Sequence, residues 1–270
     1  MREKINFDND WLFYRGDIQL DFPIQKAAAY NSAKTERALW GPAYQNFDYE
    51  NFSGGKWEKI NLPHDFVIEQ LPDQKYNEAL GFFKYENAWY IKKFTLNKED
   101  KNKRITLLFD GVATHATIYL NGCLMKHNFS GYTTFEVDIT DVVKYDQVNT
   151  LAVYVNTQNH EGWWYEGGGI YRHVWLIKTN LVSVDLWGVY ANPVLKDNSS
   201  WEVRTETTVR NDFFHSKKRI SIEGIILDKN GYTISTSKSS GLIDIKDKRT
   251  FKYDFLVDNP KLWSPETPNQ

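Results

Sequence analysis

Little in this sequence supports a disulfide, a leader segment or a membrane span. Its 270 residues include one cysteine, Cys123, so no disulfide can form within the chain. No window is long and apolar enough to suggest a transmembrane helix, and the opening residues, MREKINFDNDWLF, lack the apolar core of a signal peptide. A leader removed beforehand would leave the same sequence. The compartment therefore stays open between the cytoplasm and the periplasm or exterior.

Excess charge and metal-ligand spacing are also lacking. The formal net charge is −2, with 33 Lys and Arg interspersed among 35 Asp and Glu, so the chain offers no strongly basic surface for nucleic acid. The usual metal-binding spacings do not occur among three candidate histidines, His115, His127 and His160. Asp138 and Asp141 are more typical of a turn cap than of a calcium loop. We therefore expect no nucleic-acid or membrane partner, no metal and no cofactor.

Aromatic and β-branched residues are what the sequence has in abundance. Aromatic residues make up 16% of the chain, and runs rich in Val, Ile, Thr, Tyr and Phe recur between turn signals, which predicts an all-β protein. The pair Asn121-Gly122 is the strongest hairpin signal. Strands are expected over residues 57–63, 89–96, 104–109, 116–120, 132–139, 150–155, 171–178, 183–190, 201–210, 219–227 and 250–257.

The spacing of these strands predicts two domains. Residues 1–181 are expected to form a jelly-roll β-sandwich with an irregular opening third and a short helix at Lys26–Leu39. Residues 182–270 are expected to form an immunoglobulin-like β-sandwich. The closing segment, NPKLWSPETPNQ, has three prolines and no further apolar strand. We therefore expect this second module to lack its last strand and the chain to be a piece of a longer polypeptide.

One stretch, EGWWYEGGGIYRHVWL at residues 161–176, is the most informative part of the sequence. Aromatic faces beside a backbone without side chains are typical of a shallow apolar platform that a flat molecule, such as a sugar ring, can approach. A buried tryptophan corner with a glycine bend is the other interpretation. The residues in question are Trp163, Trp164, Tyr165 and Gly167–Gly169.

Two other sets of charged or titratable residues, His64-Asp65 and Arg172, are candidates for catalysis or ligand binding. His64-Asp65 could form an acid/base pair, but adjacent residues on an extended segment point to opposite faces, so a structural role is favoured. Arg172 could bind a carboxylate or brace the glycine bend, and bracing is favoured.

Six segments, in order, resemble the family-two glycoside hydrolases, which include β-galactosidases, β-glucuronidases and β-mannosidases. No single motif is decisive, but the ordered set is specific and covers essentially the whole chain. The resemblance implies a sugar-binding jelly roll and then an immunoglobulin-like module, which in the family precede a catalytic (β/α)8 barrel. The segments are NDWLFYRGD (9–17), INLPHDF (60–66), LLFDGVATHATIYLNG (107–122), HNFSGYTTFEVDIT (127–140), GGGIYRHVWLI (167–177) and PKLWSPETPN (260–269).

The family's barrel bears both the acid/base and the nucleophile glutamates, and nothing in this chain resembles it. Retaining hydrolysis needs two carboxyl groups about 5 Å apart across the sugar. The dipeptide Asn77-Glu78 matches the family's Asn-Glu motif only by chance, since it lies in an irregular loop. We expect no catalytic residue in this chain and no hydrolysis by the chain alone.

The resemblance also implies which residues come closest to substrate. In relatives, the residues just before the Gly-Ile-aromatic-Arg stretch reach into the barrel's pocket, and several relatives have Asp or Arg at the place of Trp163. Tryptophan there favours stacking, or packing against the barrel, over a hydrogen bond to a sugar hydroxyl. The substrate-pocket candidates are Trp163, Trp164, Tyr165 and Glu166, and structural roles are expected for Asp110, Asn121, Gly122 and Arg172.

The favoured function is therefore that of the non-catalytic N-terminal portion of a family-two β-glycosidase, with β-galactosidase as the favoured activity of the intact enzyme. These modules would brace the barrel and shape its pocket. The expected partners are a β-glycoside and the chain's own barrel, and self-association stays open. The alternatives are a stand-alone carbohydrate-binding module and a structural interaction module without sugar affinity.

Overall fold

The computed structural model describes residues 2–18, 41–43, 47–52, 54–158, 160, 162–197 and 199–269. These residues form two compact units, Arg2–Lys178 and Thr179–Gln270. Apart from two short 3-10 turns, Glu78–Leu80 and Lys98–Asn102, the regular structure of the described residues is β-strand. The predicted all-β class is confirmed. The helix predicted at Lys26–Leu39 lies outside the described residues.

The first unit is a β-sandwich of two antiparallel sheets. Among the described residues, one sheet has the strand order β1-β10-β5-β8 and the other has the order β3-β2-β4-β9-β6-β7. The strands are β1 (Glu3–Asn6), β2 (Trp11–Arg15), β3 (Glu58–Ile60), β4 (Ala88–Thr95), β5 (Lys103–Phe109), β6 (His115–Leu120), β7 (Cys123–Asn128), β8 (Phe135–Asp138), β9 (Val148–Asn156) and β10 (Val174–Asn180).

Alternation along these strands fills the space between the two sheets. In β9, Leu151, Val153 and Val155 are fully buried in the main core, together with Trp11 and Phe109 from other strands. Each such side chain contributes about 1.5–3 kcal/mol by leaving water. Because successive strand residues point to opposite faces, the residues between them lie on the outer face of the sheet.

Part of that outer face is covered by described residues that lie between β2 and β3 in the sequence. Tyr49 and Trp57 pack against Ile91 of β4 and Ala152 of β9, which makes a second, smaller core. Burial raises the pKa of the Tyr49 hydroxyl, which donates a 2.6 Å hydrogen bond to the carbonyl of Pro42. The described part of the opening third is therefore packed against the sandwich.

The second unit also has two antiparallel sheets. In its described residues the strand orders are β11-β12-β15 and β13-β14. The sheets face each other at Gly224, where an added Cβ would lie 2.5 Å from the ring of Tyr253. The strands are β11 (Val182–Leu195), β12 (Ser200–Asn211), β13 (Lys218–Leu227), β14 (Thr233–Ile243) and β15 (Asp247–Asp258).

Two segments predicted as irregular are strands. Asn9–Asp17 contains β2, in which Trp11 and Phe13 are buried and Leu12 faces the other side. The Ser- and Thr-rich residues after Asn230-Gly231 form β14, whose backbone pairs with β13 along nearly its whole length. In both cases pairing with a neighbouring strand overrides weak local propensity. Among the described residues, no helix combines the length and the apolar character that a membrane crossing needs.

Candidate functional site

The triple-glycine segment is held between two other parts of the first unit. The backbone of Gly168 accepts a hydrogen bond from Phe66, and that of Ile170 accepts one from His64. On the other side, Gly169 and Ala113 exchange a pair of backbone hydrogen bonds of 2.8 and 2.9 Å. These bonds satisfy the polar backbone groups of a segment that lies away from solvent.

Glycine is required in this segment because its neighbours are very close. A Cβ on Gly168 would lie 2.5 Å from a methyl of Val67, and one on Gly169 would lie 2.3 Å from the Tyr90 hydroxyl. Gly167 and Gly169 also have positive φ angles of 73° and 123°. The glycines are buried. The predicted exposed platform of bare backbone is therefore wrong: the backbone is bare because other chain segments, and not a ligand, approach it.

Asp65 is the main anchor of this segment. Its carboxylate accepts hydrogen bonds from the backbone of Gly168 at 2.9 Å and of Val67 at 3.0 Å, and a further one from the Tyr165 hydroxyl at 2.8 Å. Burial, followed by this bond to Asp65, raises the pKa of Tyr165. The carboxylate thus fixes the glycine backbone and the end of the aromatic loop at the same time.

His64 points away from Asp65 and anchors the same segment from its other side. Its Nδ1 lies 2.7 Å from the hydroxyl of Tyr90, which in turn accepts a hydrogen bond from the backbone of Ile170. A neutral imidazole with its proton on Nε2, 3.3 Å from Glu69 Oε1, would accept the Tyr90 hydroxyl proton at Nδ1. Burial lowers the pKa of His64 and raises that of Tyr90. His64 and Asp65 therefore make separate structural contacts and do not form an acid/base pair with each other.

The aromatic loop before the glycines presents two tryptophans to solvent. Trp163 is 83% exposed and Trp164 is 50% exposed. Trp164 Nε1 donates a 2.9 Å hydrogen bond to the hydroxyl of Tyr132, and its ring lies against Gly162, where an added Cβ would be 2.5 Å away. Glu161, where the stretch begins, lies outside the described residues. The buried-corner interpretation is wrong for these two tryptophans.

The other two pocket candidates point inward. Tyr165 packs edge-on against Phe83 at 5.5 Å and is bonded to Asp65. The Glu166 side chain is 1% exposed, and one of its carboxylate oxygens lies 3.7 Å from His160 Nδ1. The Tyr85 hydroxyl accepts a hydrogen bond from the Glu166 backbone, and its ring meets the His160 ring edge-on at 4.8 Å. Tyr165 and Glu166 thus form the base of the loop, and Trp163 and Trp164 form its tip.

Arg172 and Asp110 brace the segment that follows the glycines. The Arg172 guanidinium lies 3.4 Å from the backbone carbonyls of Asp110 and Tyr132, and it stacks on Tyr171 at 5.1 Å. The Asp110 carboxylate accepts a 2.8 Å hydrogen bond from Trp175 Nε1. These carbonyl contacts are those of a bracing residue.

Asn121-Gly122 forms the tight turn between β6 and β7. Both residues have positive φ angles, 52° and 85°, as a two-residue hairpin loop requires. The Asn121 side chain donates to Asn149 Oδ1 at 2.9 Å and accepts from the backbone of Thr150 at 3.0 Å. The turn is thereby tied to the start of β9.

These contacts determine what the site can do chemically. The Asp65 carboxylate accepts several hydrogen bonds, and Glu166 is turned inward, so the exposed surface of the loop offers aromatic faces. Among the described residues, no group of three or more His, Cys, Asp or Glu side chains is placed to hold a metal ion. The partners Tyr85 and Tyr132 were not predicted, because they come from loops distant in sequence and no local pattern marks them.

Comparison with known proteins gives a family for this architecture. The model of the glycosyl hydrolase 2 galactose-binding domain-like family matches residues 61–167, and that of glycosyl hydrolases family 2 matches residues 183–270. The chain is 29% identical over 270 residues to a β-galactosidase, BoGH2A, from Bacteroides ovatus. The matched region covers 99% of this chain and 29% of that protein. It is 28% identical over 245 residues to a β-glucuronidase from Formosa agariphila, covering 81% of this chain and 25% of that protein.

Solved structures agree with these matches. A glycosyl hydrolase family 2 member from Bacteroides cellulosilyticus superimposes with a TM-score of 0.77 at 30% identity, covering 98% of this chain and 32% of that one. The chain thus spans about a third or less of the length of these relatives. This chain belongs to glycoside hydrolase family 2. It carries the galactose-binding-like and immunoglobulin-like domains found in the β-glycosidases of that family.

Proposed function

We propose that this chain is the non-catalytic N-terminal portion of a family-two β-galactosidase, in which the two modules brace a catalytic barrel that follows them. In this proposal the domains are residues 1–181 and 182–270. The tip of the aromatic loop, Trp163 and Trp164, narrows the substrate pocket of the barrel. The chain alone is then inactive, and its partners are a β-glycoside and its own barrel.

The single observation that carries this proposal is the exposure of Trp163 on a loop whose base is fixed. At 83% exposure the ring has little contact within its own unit, and with Trp164, which is 50% exposed, it gives the loop tip adjoining apolar faces of the kind that mark interaction sites. Meanwhile Tyr165 and the glycines are held by Asp65. A rigid base with an exposed ring suits a residue that contacts something outside the module.

The alternatives differ in what Trp163 contacts. A structural module without sugar affinity would be favoured by full burial of the aromatic loop within its own fold, and Trp163 and Trp164 are not buried. A stand-alone carbohydrate-binding module would use the same exposed rings without a barrel. Calorimetry of the chain with galactosides and glucuronides tests this alternative. If no binding is detected at millimolar sugar concentration, the stand-alone binding module is ruled out.

The experiment compares the chain with the complete polypeptide on aryl β-galactosides and β-glucuronides. We expect hydrolysis by the complete polypeptide only, with galactosides preferred. Trp163→Ala should lower kcat/KM of the complete polypeptide about tenfold, the loss of roughly 1.4 kcal/mol of contact with the bound sugar. Trp187→Ala, at another exposed tryptophan, in the second unit, is the matched control and should leave kcat/KM unchanged.

Two results would contradict the proposal. Hydrolysis by the chain alone would place catalytic groups within these residues. Equal kcat/KM for Trp163→Ala and the unmodified polypeptide would remove the role of the loop tip in the pocket. A preference for glucuronides would leave the modules' role intact and change only the assigned sugar.

A further inference from the structure

The chain has two Asn-Gly pairs, and both lie in turns between paired antiparallel strands. Asn121-Gly122 joins β6 to β7, and Asn230-Gly231 lies between β13 and β14. Asparagine is one of the chemically labile residues, and a following glycine leaves its side-chain carbonyl open to attack by the next backbone nitrogen. Whether such a pair reacts depends on the freedom of the side chain to reach that nitrogen. The two turns differ in this freedom.

Hydrogen bonds hold the Asn121 side chain at both of its polar atoms. Its Nδ2 donates to Asn149 Oδ1 at 2.9 Å and to the Val142 carbonyl at 3.2 Å. Its Oδ1 accepts from the backbone of Thr150 at 3.0 Å, and Asn149 is itself fully buried. All three bonds must break before the Asn121 amide can turn towards the nitrogen of Gly122. This turn therefore has to open locally, at a cost in free energy, before it can react.

The tip of the β13–β14 hairpin is organised by Asp228 and leaves the Asn230 side chain outside its hydrogen bonds. The Asp228 carboxylate accepts from the backbone of Asn230 at 2.9 Å and of Tyr232 at 2.8 Å. The Asp228 carbonyl accepts from the nitrogen of Gly231 at 3.0 Å. Residues 229–234 are exposed. Within the described part of the chain, no hydrogen bond holds the Asn230 amide group in place.

No neighbour crowds the reacting atoms at this tip. An added Cβ on Gly231 would have no atom within 4 Å, and the φ angle of Gly231 is 85°. The bond from the Gly231 nitrogen to Asp228 has to break, but it lies in an exposed turn at the end of a hairpin. Exposed tips are the parts of a fold that open at the lowest free energy. The Asn230 side chain can then swing towards this nitrogen without displacing another residue.

We propose that Asn230 is a site of spontaneous deamidation, and that the contacts of Asn121 protect the other pair. The Gly231 nitrogen loses its proton to solvent base and attacks Cγ of Asn230. An N–Cγ bond forms, the Cγ–Nδ2 bond breaks, and Nδ2 leaves as ammonia. The resulting succinimide ring takes up one water molecule. Opening at one carbonyl gives aspartate, and opening at the other gives isoaspartate, in which the backbone passes through the former side chain.

Either product changes the hairpin. The new carboxylate lies two positions from Asp228 and adds one negative charge to a chain whose formal net charge is −2. Like charges at this spacing repel each other. Isoaspartate also lengthens the backbone by one carbon between the strands, whose ladder ends at Leu227 and Thr233 beside the tip. We expect these last pairs to open first, so the structural effect begins in the second unit.

The experiment incubates the full chain at pH 7.5, both folded and in concentrated urea, and follows the two Asn-Gly pairs by mass spectrometry of peptic peptides. Pepsin acts at an acidic pH at which little further deamidation occurs. In urea both pairs should react at similar rates. In the folded chain, Asn121 should react at least about tenfold more slowly than in urea, because its three hydrogen bonds must open, whereas Asn230 should stay within about threefold of its rate in urea.

Two variants identify the reacting atoms. Asn230→Gln lengthens the side chain, which disfavours ring closure, and should abolish the more acidic species that ion-exchange chromatography separates. Gly231→Ala places a methyl group beside the attacking nitrogen and should slow the reaction at Asn230, with no effect at Asn121. In the unmodified chain the rate at Asn230 should rise from pH 6.5 to 7.5, because the attacking nitrogen must lose its proton.

Three results would overturn the proposal. Protection of Asn230 as strong as that of Asn121 would show that the hairpin tip holds its side chain. Equal rates for Asn121 in the folded and the unfolded chain would show that its hydrogen bonds do not protect it. An acidic species that persists in Asn230→Gln would place the reaction at another residue. None of these results depends on hydrolysis by the complete polypeptide, so the proposed function is tested separately.

Discussion

The Tyr165 hydroxyl donates a 2.8 Å hydrogen bond to the carboxylate of Asp65, a residue 100 positions earlier in the chain. The same carboxylate accepts from the backbone of Gly168. Through these bonds, one side chain determines where the aromatic loop leaves the core and how the glycine segment enters it. The exposed tryptophans of the loop therefore depend on a residue that contacts neither of them.

Asp65→Ala should destabilise the first unit by about 2–3 kcal/mol, because it leaves the Gly168 N–H and the Tyr165 hydroxyl without their acceptor. Asp65→Asn keeps one acceptor oxygen and should cost less. Urea denaturation, followed by far-UV circular dichroism, measures both. Tyr165→Phe, which removes a single bond to this carboxylate, is the matched control and should cost about 1 kcal/mol. An Asp65→Ala protein as stable as the original would show that the carboxylate is not the anchor.

Gly169→Ala should destabilise the first unit by about 2–4 kcal/mol. Its Cβ would lie 2.3 Å from the Tyr90 hydroxyl and 2.6 Å from the carbonyl of His64, at a φ of 123°. Gly231→Ala is the control, since it also has a positive φ of 85° but nothing lies within 4 Å of its added Cβ. That substitution should cost only about 1 kcal/mol, the backbone component. Thermal unfolding of both variants separates the steric clash at Gly169 from the backbone strain that both positions share. Similar losses of stability in the two variants would contradict the predicted clash.

Sequence patterns were sufficient for the strands that alternate and end at a strong turn. β6 and the Asn121-Gly122 hairpin follow from such a pattern, and the structure places them as predicted. β14 carries mostly Ser, Lys and Thr, so its propensity is weak and only its pairing with β13 makes it a strand. The family resemblance supplied the domain types, which local physics alone left as a general β-sandwich.

The site was less accessible from the sequence. Trp163 stood out as an unusual residue, and its exposure agrees with a role outside the module. The role of the glycines was misjudged, because their close neighbours Val67 and Tyr90 lie far away in the chain. For the same reason no local pattern could associate Asp65 with Tyr165. Contacts at a sequence separation of 80 to 100 residues become visible only once the strands have paired.

Asn121→Ala should destabilise the first unit by about 2–3 kcal/mol. The substitution leaves the Thr150 N–H without its side-chain acceptor and places alanine at a φ of 52°. Asn230→Ala is the control at the other Asn-Gly pair, where Asn230 is exposed, and should cost less than about 0.5 kcal/mol. Urea midpoints for the two variants provide the measurement. Equal effects would mean that the Asn121 side chain contributes only turn propensity.

The stability of the first unit should fall as the pH is lowered through about 6.5, because of His64. Burial holds the pKa of this imidazole below its ordinary value of 6.5, despite the Glu69 carboxylate beside it. The unfolded chain takes up a proton at His64 near pH 6.5, whereas the folded chain does so only at lower pH. In the interval between the two pKa values the unfolded state binds more protons, so stability decreases with falling pH. Above pH 6.5 this contribution is fully present.

His64→Gln tests this dependence through urea midpoints of the first unit at pH 7.5, 6.5 and 5.5. The variant loses the titrating group, so its stability should decrease less between pH 7.5 and 5.5 than that of the original chain. At pH 7.5 the variant should be less stable than the original chain, because the hydrogen bond with Tyr90 is weakened. His215→Gln, at an exposed histidine of the second unit, should leave the decrease unchanged. A decrease of the same size in His64→Gln would assign the pH dependence to groups other than His64.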